Sequence, residues 1–222
     1  MCKPVQVAVV VLLIGAAGVV AFQILCPKER EPSYQGRRLS AWLLDLVKTY
    51  HDAPDAVAAV RAIGTNAVPD LLRKLPYSPN NTRTEFYCKL DSLLHHKLHL
   101  TGRTIVEPAA LRSAEALKGF EALGPTASNA VPGLSALLDV PQVGERAAVA
   151  LAYIGPGALP ALMEALTNRS PTARFHALGG IGCLGTNAGP GVPLVLSCVT
   201  DTNVPLKGYA IRYRAVAVLA AC

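Results

Sequence analysis

The sequence predicts an all-α fold, an α-solenoid of stacked helical hairpins behind one N-terminal transmembrane helix. One phrase recurs four times, with Gly64, Gly124, Gly155 and Gly185 at the same place in each copy. The apolar residues are mainly Ala, Leu and Val and aromatics make up only 5% of the chain, which favours helices over sheets. Residues 4–25 form an apolar run without a formal charge.

The N-terminal run predicts a retained membrane helix. A helix over residues 4–25 is about 33 Å long at about 1.5 Å per residue, and the hydrocarbon core of a bilayer is about 30 Å thick. A signal peptide cleaved near Val19 and Ala21 is the alternative. Lys3 precedes the run and four Lys or Arg follow it closely, which favours a cytoplasmic main domain. A short basic N-terminus is also typical of an export signal, so the side of the membrane stays open.

The next segments are predicted to be a juxtamembrane linker, residues 26–38, and a cap helix, residues 39–54. Ser40 is a suitable N-cap. The apolar face of this helix comprises Leu39, Trp42, Leu43, Leu46 and Val47. Solenoids need terminal caps over their open apolar ends, and the sequence favours this interpretation. The tryptophan after Arg37 and Arg38 offers the alternative of a helix that lies on the bilayer surface.

Residues 55–222 are predicted to be the repeat region, in which each unit is two helices joined by a turn. A first helix ends at the glycine, which adopts the left-handed conformation without steric cost, and a second helix starts at a proline, where no N–H partner is needed. The apolar positions before the glycine are Ala56, Ala116, Ala147 and Ala177, then Val60, Phe120, Leu151 and Ile181. The prolines are Pro69, Pro132, Pro160 and Pro193.

One such helix pair cannot bury its apolar face alone, so the phrase recurs because each copy packs on the next. The pattern A-[IL]-G-x-x-A-x-P-x-L resembles HEAT repeats, especially the short bacterial kind similar to those of phycobilisome-lyase-type proteins. The resemblance covers residues 55–222 except a less regular patch at 78–112. It implies scaffolding and partner binding, and the lyase-type relatives imply chromophore handling as an alternative.

The irregular patch is predicted to be a degenerate or inserted helical unit. Thr82 and Glu85 fit a capping box that starts a helix. The HHKLH stretch places His95 and His99 four residues apart, but a metal-dependent hydrolase motif needs Glu beside the first histidine and position 96 is His. The histidines are therefore interpreted as solvated, and no metal or cofactor is predicted.

The end of the sequence predicts an incomplete last repeat. Ala215, Val216 and Leu219 have the offsets of a first helix, and the chain stops at Cys222 before the turn. The half-unit is either a cap or a truncation. Cys183 and Cys198 fall at apolar positions of the repeat and are predicted to be small core residues.

The predicted function is a membrane-anchored scaffold without catalytic activity, which binds a protein or peptide on the concave surface of its second helices. Arg73, Lys74 and Glu164 are the candidate partner-binding residues. No nucleophile motif or phosphate-binding loop is found. A net charge of +6 leaves nucleic-acid binding as an alternative, which needs a cluster on one concave face of Arg73, Lys74, Arg103, Arg112 and Arg146.

Overall fold

The computed structural model describes residues 31–48, 53–76, 108–168, 170–200 and 215–220, and most of these residues are helical. The prediction of an all-α fold is confirmed at this level. A short hairpin, β1 Ser33–Tyr34 and β2 Arg37–Arg38, comes first. The helices that follow are α1 Leu39–Lys48, α2 Pro54–Ile63, α3 Val68–Lys74, α4 Pro108–Leu123, α5 Val131–Leu137, α6 Gly144–Ile154, α7 Leu159–Leu166, α8 Pro171–Leu184 and α9 Val192–Thr200.

The hairpin lies within the segment that the sequence predicted to be a linker. β1 and β2 are antiparallel, and both residues of the connection, Gln35 and Gly36, have positive φ angles of 50° and 73°. Two successive positive φ angles are typical of the type I′ turn, whose twist matches that of paired strands. The Leu39 N–H then donates to the Pro32 carbonyl at 2.9 Å, which joins the hairpin to α1.

α1 begins at Leu39, so Ser40 lies inside its first turn and the N-cap prediction was wrong. The helix buries its apolar face in the common core through Leu39, Leu43 and Leu46. It packs against α2 and α4. Its role as a cap stays a prediction.

The four glycines end the helices that we call first helices, α2, α4, α6 and α8. Their φ angles are all positive, between 54° and 90°. At Gly64, Gly155 and Gly185 the ψ angle is between −131° and −154°, which differs from the predicted left-handed helical conformation. This region is accessible essentially to glycine alone, so the requirement for glycine is stricter than the sequence suggested.

A 3₁₀ turn leads from each glycine into what we call a second helix, α3, α5, α7 or α9. The turns differ in length, from three residues at Pro156–Ala158 to seven at Gly124–Ala130 and Gly185–Gly191. The prolines occupy the second helical position rather than the predicted first. The reason is that the turn already has helical φ and ψ where the α-helix begins, as at Ala67.

Equivalent positions of the four copies are buried alike. The large residues four before the glycine are fully buried, as are the alanines three after it, and so are the aliphatic residues two after the proline. Burying one such large aliphatic or aromatic side chain stabilises the fold by about 1.5–3 kcal/mol. These sets are Val60, Phe120, Leu151 and Ile181; Ala67, Ala127, Ala158 and Ala188; and Leu71, Leu134, Leu162 and Val195.

The helix pairs pack on one another in chain order. Each first helix contacts the next one, and α5 contacts α7, which contacts α9. Glycines allow the close approach: a Cβ atom on Gly119 of α4 would lie 2.5 Å from Leu71 Cδ2 of α3, and one on Gly180 of α8 would lie 2.9 Å from Leu162 Cδ2 of α7. In both contacts the glycine lies five residues before the glycine that ends its helix, and the leucine lies two residues after the proline. α4 therefore packs on α3 as α8 packs on α7. The second copy thus follows the first directly in the packing, although more than thirty residues separate α3 from α4 in the chain.

Several predictions lie wholly or partly outside the described residues. These are the helix over residues 4–25, the linker up to residue 30, and the irregular patch as far as residue 107, with its three histidines; residues 108–112 begin α4. In the parts of the chain that are described, no helix combines the length and the apolar character needed to span a bilayer.

Residues 215–220 are helical and belong to the predicted last repeat. Ala215 and Val218 are buried, and Val218 Cγ2 would lie 3.1 Å from a Cβ atom on Gly182 of α8. Val216 is 53% exposed. This helix therefore packs on α8 by one side.

Candidate functional site

The three predicted partner-binding residues have different environments. The Arg73 side chain on α3 is 59% exposed and forms an ion pair with the buried carboxylate of Asp70. The Lys74 side chain is only 14% exposed, and its Nζ lies 3.5 Å from Glu115 Oε2 on α4. Glu164 on α7 is exposed. Arg73 and Glu164 therefore remain candidates for contact with a partner, whereas Lys74 holds two helices together.

The exposed residues of the second helices recur at the same positions. The residues three and four after each proline are Leu72 and Arg73, Ser135 and Ala136, Met163 and Glu164, and Leu196 and Ser197. We call these eight residues the second-helix face. The residue four after the proline is exposed in every copy, and the residue three after it is half-buried in all but α9, where Leu196 is 51% exposed.

Contacts between neighbouring second helices bring these residues side by side. A Cβ atom on Gly133 of α5 would lie 3.2 Å from Leu72 Cδ1 of α3. One on Gly191, before α9, would lie 3.8 Å from Met163 Cγ of α7. Because axes of packed helices are about 8–10 Å apart, the face extends as a row across adjacent helices.

The ion pair of Lys74 and Glu115 belongs to a polar contact between α3 and α4. The Ser113 hydroxyl is buried and donates to the Leu75 carbonyl at 2.9 Å. That carbonyl is at the end of α3, where the last carbonyls lack intrahelical partners. These groups connect the first and second repeat copies, and their burial indicates a role in packing.

A buried histidine makes a comparable contact farther along the chain, which the sequence reasoning missed. His176 of α8 is buried, and its Nδ1 lies 2.8 Å from the Leu138 carbonyl oxygen. A carbonyl oxygen only accepts, so Nδ1 carries the proton and donates. Gly144 begins α6 beside this bond, where an added Cβ atom would lie 2.5 Å from the same oxygen. The signal available in the sequence was a glycine at the first position of a helix, a place where a side chain is usual.

A polar cluster surrounds the single tryptophan near the N-terminus. The Arg37 guanidinium donates to Asp45 Oδ2 at 2.6 Å and to the Ala41 carbonyl at 3.1 Å, and it lies 4.3 Å above the Trp42 ring centroid. The indole N–H donates to the Tyr34 carbonyl at 3.4 Å. Arg37 and Trp42, which suggested a bilayer-surface helix in the sequence, thus join the hairpin to α1.

The prediction for the two cysteines was half wrong. Cys198 is buried, but Cys183 is exposed. Its position, two before the glycine, is buried in α4 at Ala122, so the position in the repeat does not by itself determine the exposure. The equivalent residue of α6, Tyr153, is 38% exposed. Burial of the rest of its side chain raises the pKa of the Tyr153 phenol, and the nearby Glu121 carboxylate raises it further.

The described basic residues named for a nucleic-acid surface lie on helices of both kinds. Arg73 and Lys74 lie on the second helix α3, whereas Arg112 and Arg146 lie on the first helices α4 and α6. Arg103 is outside the described residues.

Comparisons with known proteins give no relative from which to transfer a function. No family model, no curated protein and no solved structure matches this chain. The geometry of the chain itself is therefore the basis for its function.

Proposed function

We propose that this protein is a non-enzymatic interaction module, an α-solenoid of HEAT-like units that binds a protein or peptide on its second-helix face. Residues 4–25 tether it to a membrane in this proposal. The observation that carries the proposal is the contrast between buried and exposed positions of the repeat. The buried positions hold apolar residues in every copy, whereas the position four after the proline holds Arg73, Ala136, Glu164 and Ser197 in turn.

This contrast is what a scaffold with a binding surface needs. The shared positions build the stack, and the exposed row is free to differ, so that each helix offers a different group to a partner. Protein interfaces also combine an apolar centre with few charges. The second-helix face has that character, because its residues include three large aliphatic side chains and two charged ones.

The described residues do not support the nucleic-acid alternative. Ten Lys and Arg and nine Asp and Glu are found in the described ranges, against 21 and 15 in the whole chain. A nucleic-acid surface requires basic residues concentrated on one side, and the described helices carry almost no excess of positive charge.

Site-specific crosslinking in native membranes tests the proposal. A photo-crosslinking amino acid is placed at Ala136, in the middle of the face, or at Ala62, an exposed alanine of the first helix α2. We expect a defined protein adduct from position 136 and none from position 62. Adducts from position 62 alone, or equal adducts from both, would contradict the proposed surface.

The tether is tested separately by fractionation. The full chain should remain with membranes after carbonate washing, and residues 27–222 alone should not. Release of the full chain by carbonate would contradict the membrane anchor and leave the binding surface unaffected.

A further inference from the structure

We propose that the second-helix face recognises a partner segment that combines aliphatic side chains with a lysine or arginine, and that Glu164 selects the basic residue. This inference rests on the proposed function and specifies the chemistry of the partner. It makes Glu164 a specificity-determining residue.

The apolar half of this recognition lies on α7 and α9. Leu196 is 51% exposed, more than any other large apolar residue of the second helices that the structure describes. Met163 is half-buried at the equivalent position of α7, and α7 packs against α9. The thioether of Met163 adapts its shape to a neighbouring side chain. Together the two residues offer an apolar surface that suits an aliphatic side chain of a partner.

The charge on the face determines which charge a partner residue must carry. Arg73 and Lys74 are paired with the carboxylates of Asp70 and Glu115, so the positive charges at the α3 end of the face are neutralised. Glu164 is exposed beside Met163, and no described cation lies within ion-pair distance of it. The α7 end of the face is therefore anionic, although the chain as a whole carries a net charge of +6. A cation on the partner complements it, and such complementarity governs specificity more than total affinity.

The size of the face sets the length of the segment. From Arg73 on α3 to Leu196 on α9 the row crosses three helix spacings, or about 24–30 Å. An extended peptide covers that length with about seven to nine residues, at roughly 3.3 Å each. A short linear segment is therefore long enough to contact the whole row.

Selection from a displayed library of random peptides about 12 residues long, a few residues more than the spanning length, tests the inference on the full chain. Selections are run on the wild type, on Glu164→Lys, and on Asp55→Lys, which makes the same charge change at an exposed position of α2. Leu196→Asp shows whether selected peptides bind on the face. Circular dichroism checks that each variant keeps its helical content.

The inference predicts that wild-type and Asp55→Lys selections both enrich aliphatic sequences containing Lys or Arg. These peptides should bind Glu164→Lys at least fivefold more weakly, since reversal replaces attraction by repulsion, and the loss should shrink at high salt. Selection on Glu164→Lys should enrich Asp or Glu instead.

The other outcomes separate the two proposals. Peptides that lose binding with Leu196→Asp but bind Glu164→Lys as well as the wild type would overturn the role of Glu164 and leave the binding face intact. Peptides that tolerate both substitutions, or a library that yields no enrichment, would count against the face itself and therefore against both proposals.

Discussion

Gly144→Ala tests whether the contact of α8 with the end of α5 determines stability. An alanine Cβ atom would lie 2.5 Å from the Leu138 carbonyl oxygen and closer still to His176 Nδ1. The backbone oxygen cannot rotate away, and His176 can move only by giving up its hydrogen bond of 2.8 Å to that oxygen. The substitution therefore adds a steric overlap and removes a buried hydrogen bond.

The expected cost follows from these two effects. Overpacking costs about 1–3 kcal/mol and an unpaired buried carbonyl about 1–3 kcal/mol, while the helix preference of alanine over glycine returns at most about 1 kcal/mol. We expect a loss of about 2–4 kcal/mol, which lowers the thermal midpoint of a domain of this size by about 5–15 °C. Gly157→Ala is the matched control, because no atom lies within 4 Å of a Cβ atom there.

The assay is thermal unfolding of the full chain followed by circular dichroism. We expect Gly157→Ala to unfold within about 2 °C of the wild type, a shift of at most about 1 kcal/mol. In a His176→Ala background, Gly144→Ala should cost less, because one of the two overlaps is gone while the overlap with Leu138 remains. Equal midpoints for Gly144→Ala and Gly157→Ala would refute the reasoning.

Three further predictions concern the ion pair, the phenol and the thiols. Glu115→Gln removes the carboxylate that lies 3.5 Å from the mostly buried Lys74 ammonium, and we expect a loss of about 3–5 kcal/mol by denaturant unfolding. A loss below about 1 kcal/mol, the value of a surface pair, would contradict burial of the pair. Partial burial raises the folded-state pKa of Tyr153, so the contribution of this phenol to stability is present below pH 10 and is lost as pH rises through the folded pKa. Ultraviolet titration should show a phenol that ionises above pH 10, and Tyr153→Phe should remove that component. Persistence of the component in the variant would contradict the assignment. In the native protein, maleimide labelling read by mass spectrometry should modify Cys183 and spare Cys198 until unfolding; the reverse order would contradict their exposures.

The repeat could be predicted because its signals are local. A helix that ends at Gly155 and a proline five residues later are read directly from the sequence, and the structure places Leu151 and Leu162 fully in the core as the periodicity predicts. The exposure of Cys183 was not predictable in the same way. Its neighbours in sequence are apolar, and only the direction of α8 against α6 decides which of them face the core.

Long-range contacts account for the other differences between the predictions from sequence and the structure. Lys74 lies on a helix face that looked solvated, and its partner Glu115 is 41 positions away in the chain. A basic residue, Arg37, close to an aromatic one, Trp42, is typical of a membrane-surface helix. In the structure the hairpin places the Arg37 guanidinium over the Trp42 ring. Such pairings depend on how elements pack, which the local pattern does not contain.

The sequence by itself determined the helices, their glycine ends and the core positions, because these depend on backbone sterics and on a period of 3.6 residues. Only the tertiary structure decided that α4 packs on α3 despite the long connection between them, that His176 caps α5, and that Lys74 is mostly buried while Arg73 and Glu164 are exposed. The physical reason is that burial and hydrogen bonding of a side chain depend on residues brought together from distant parts of the chain.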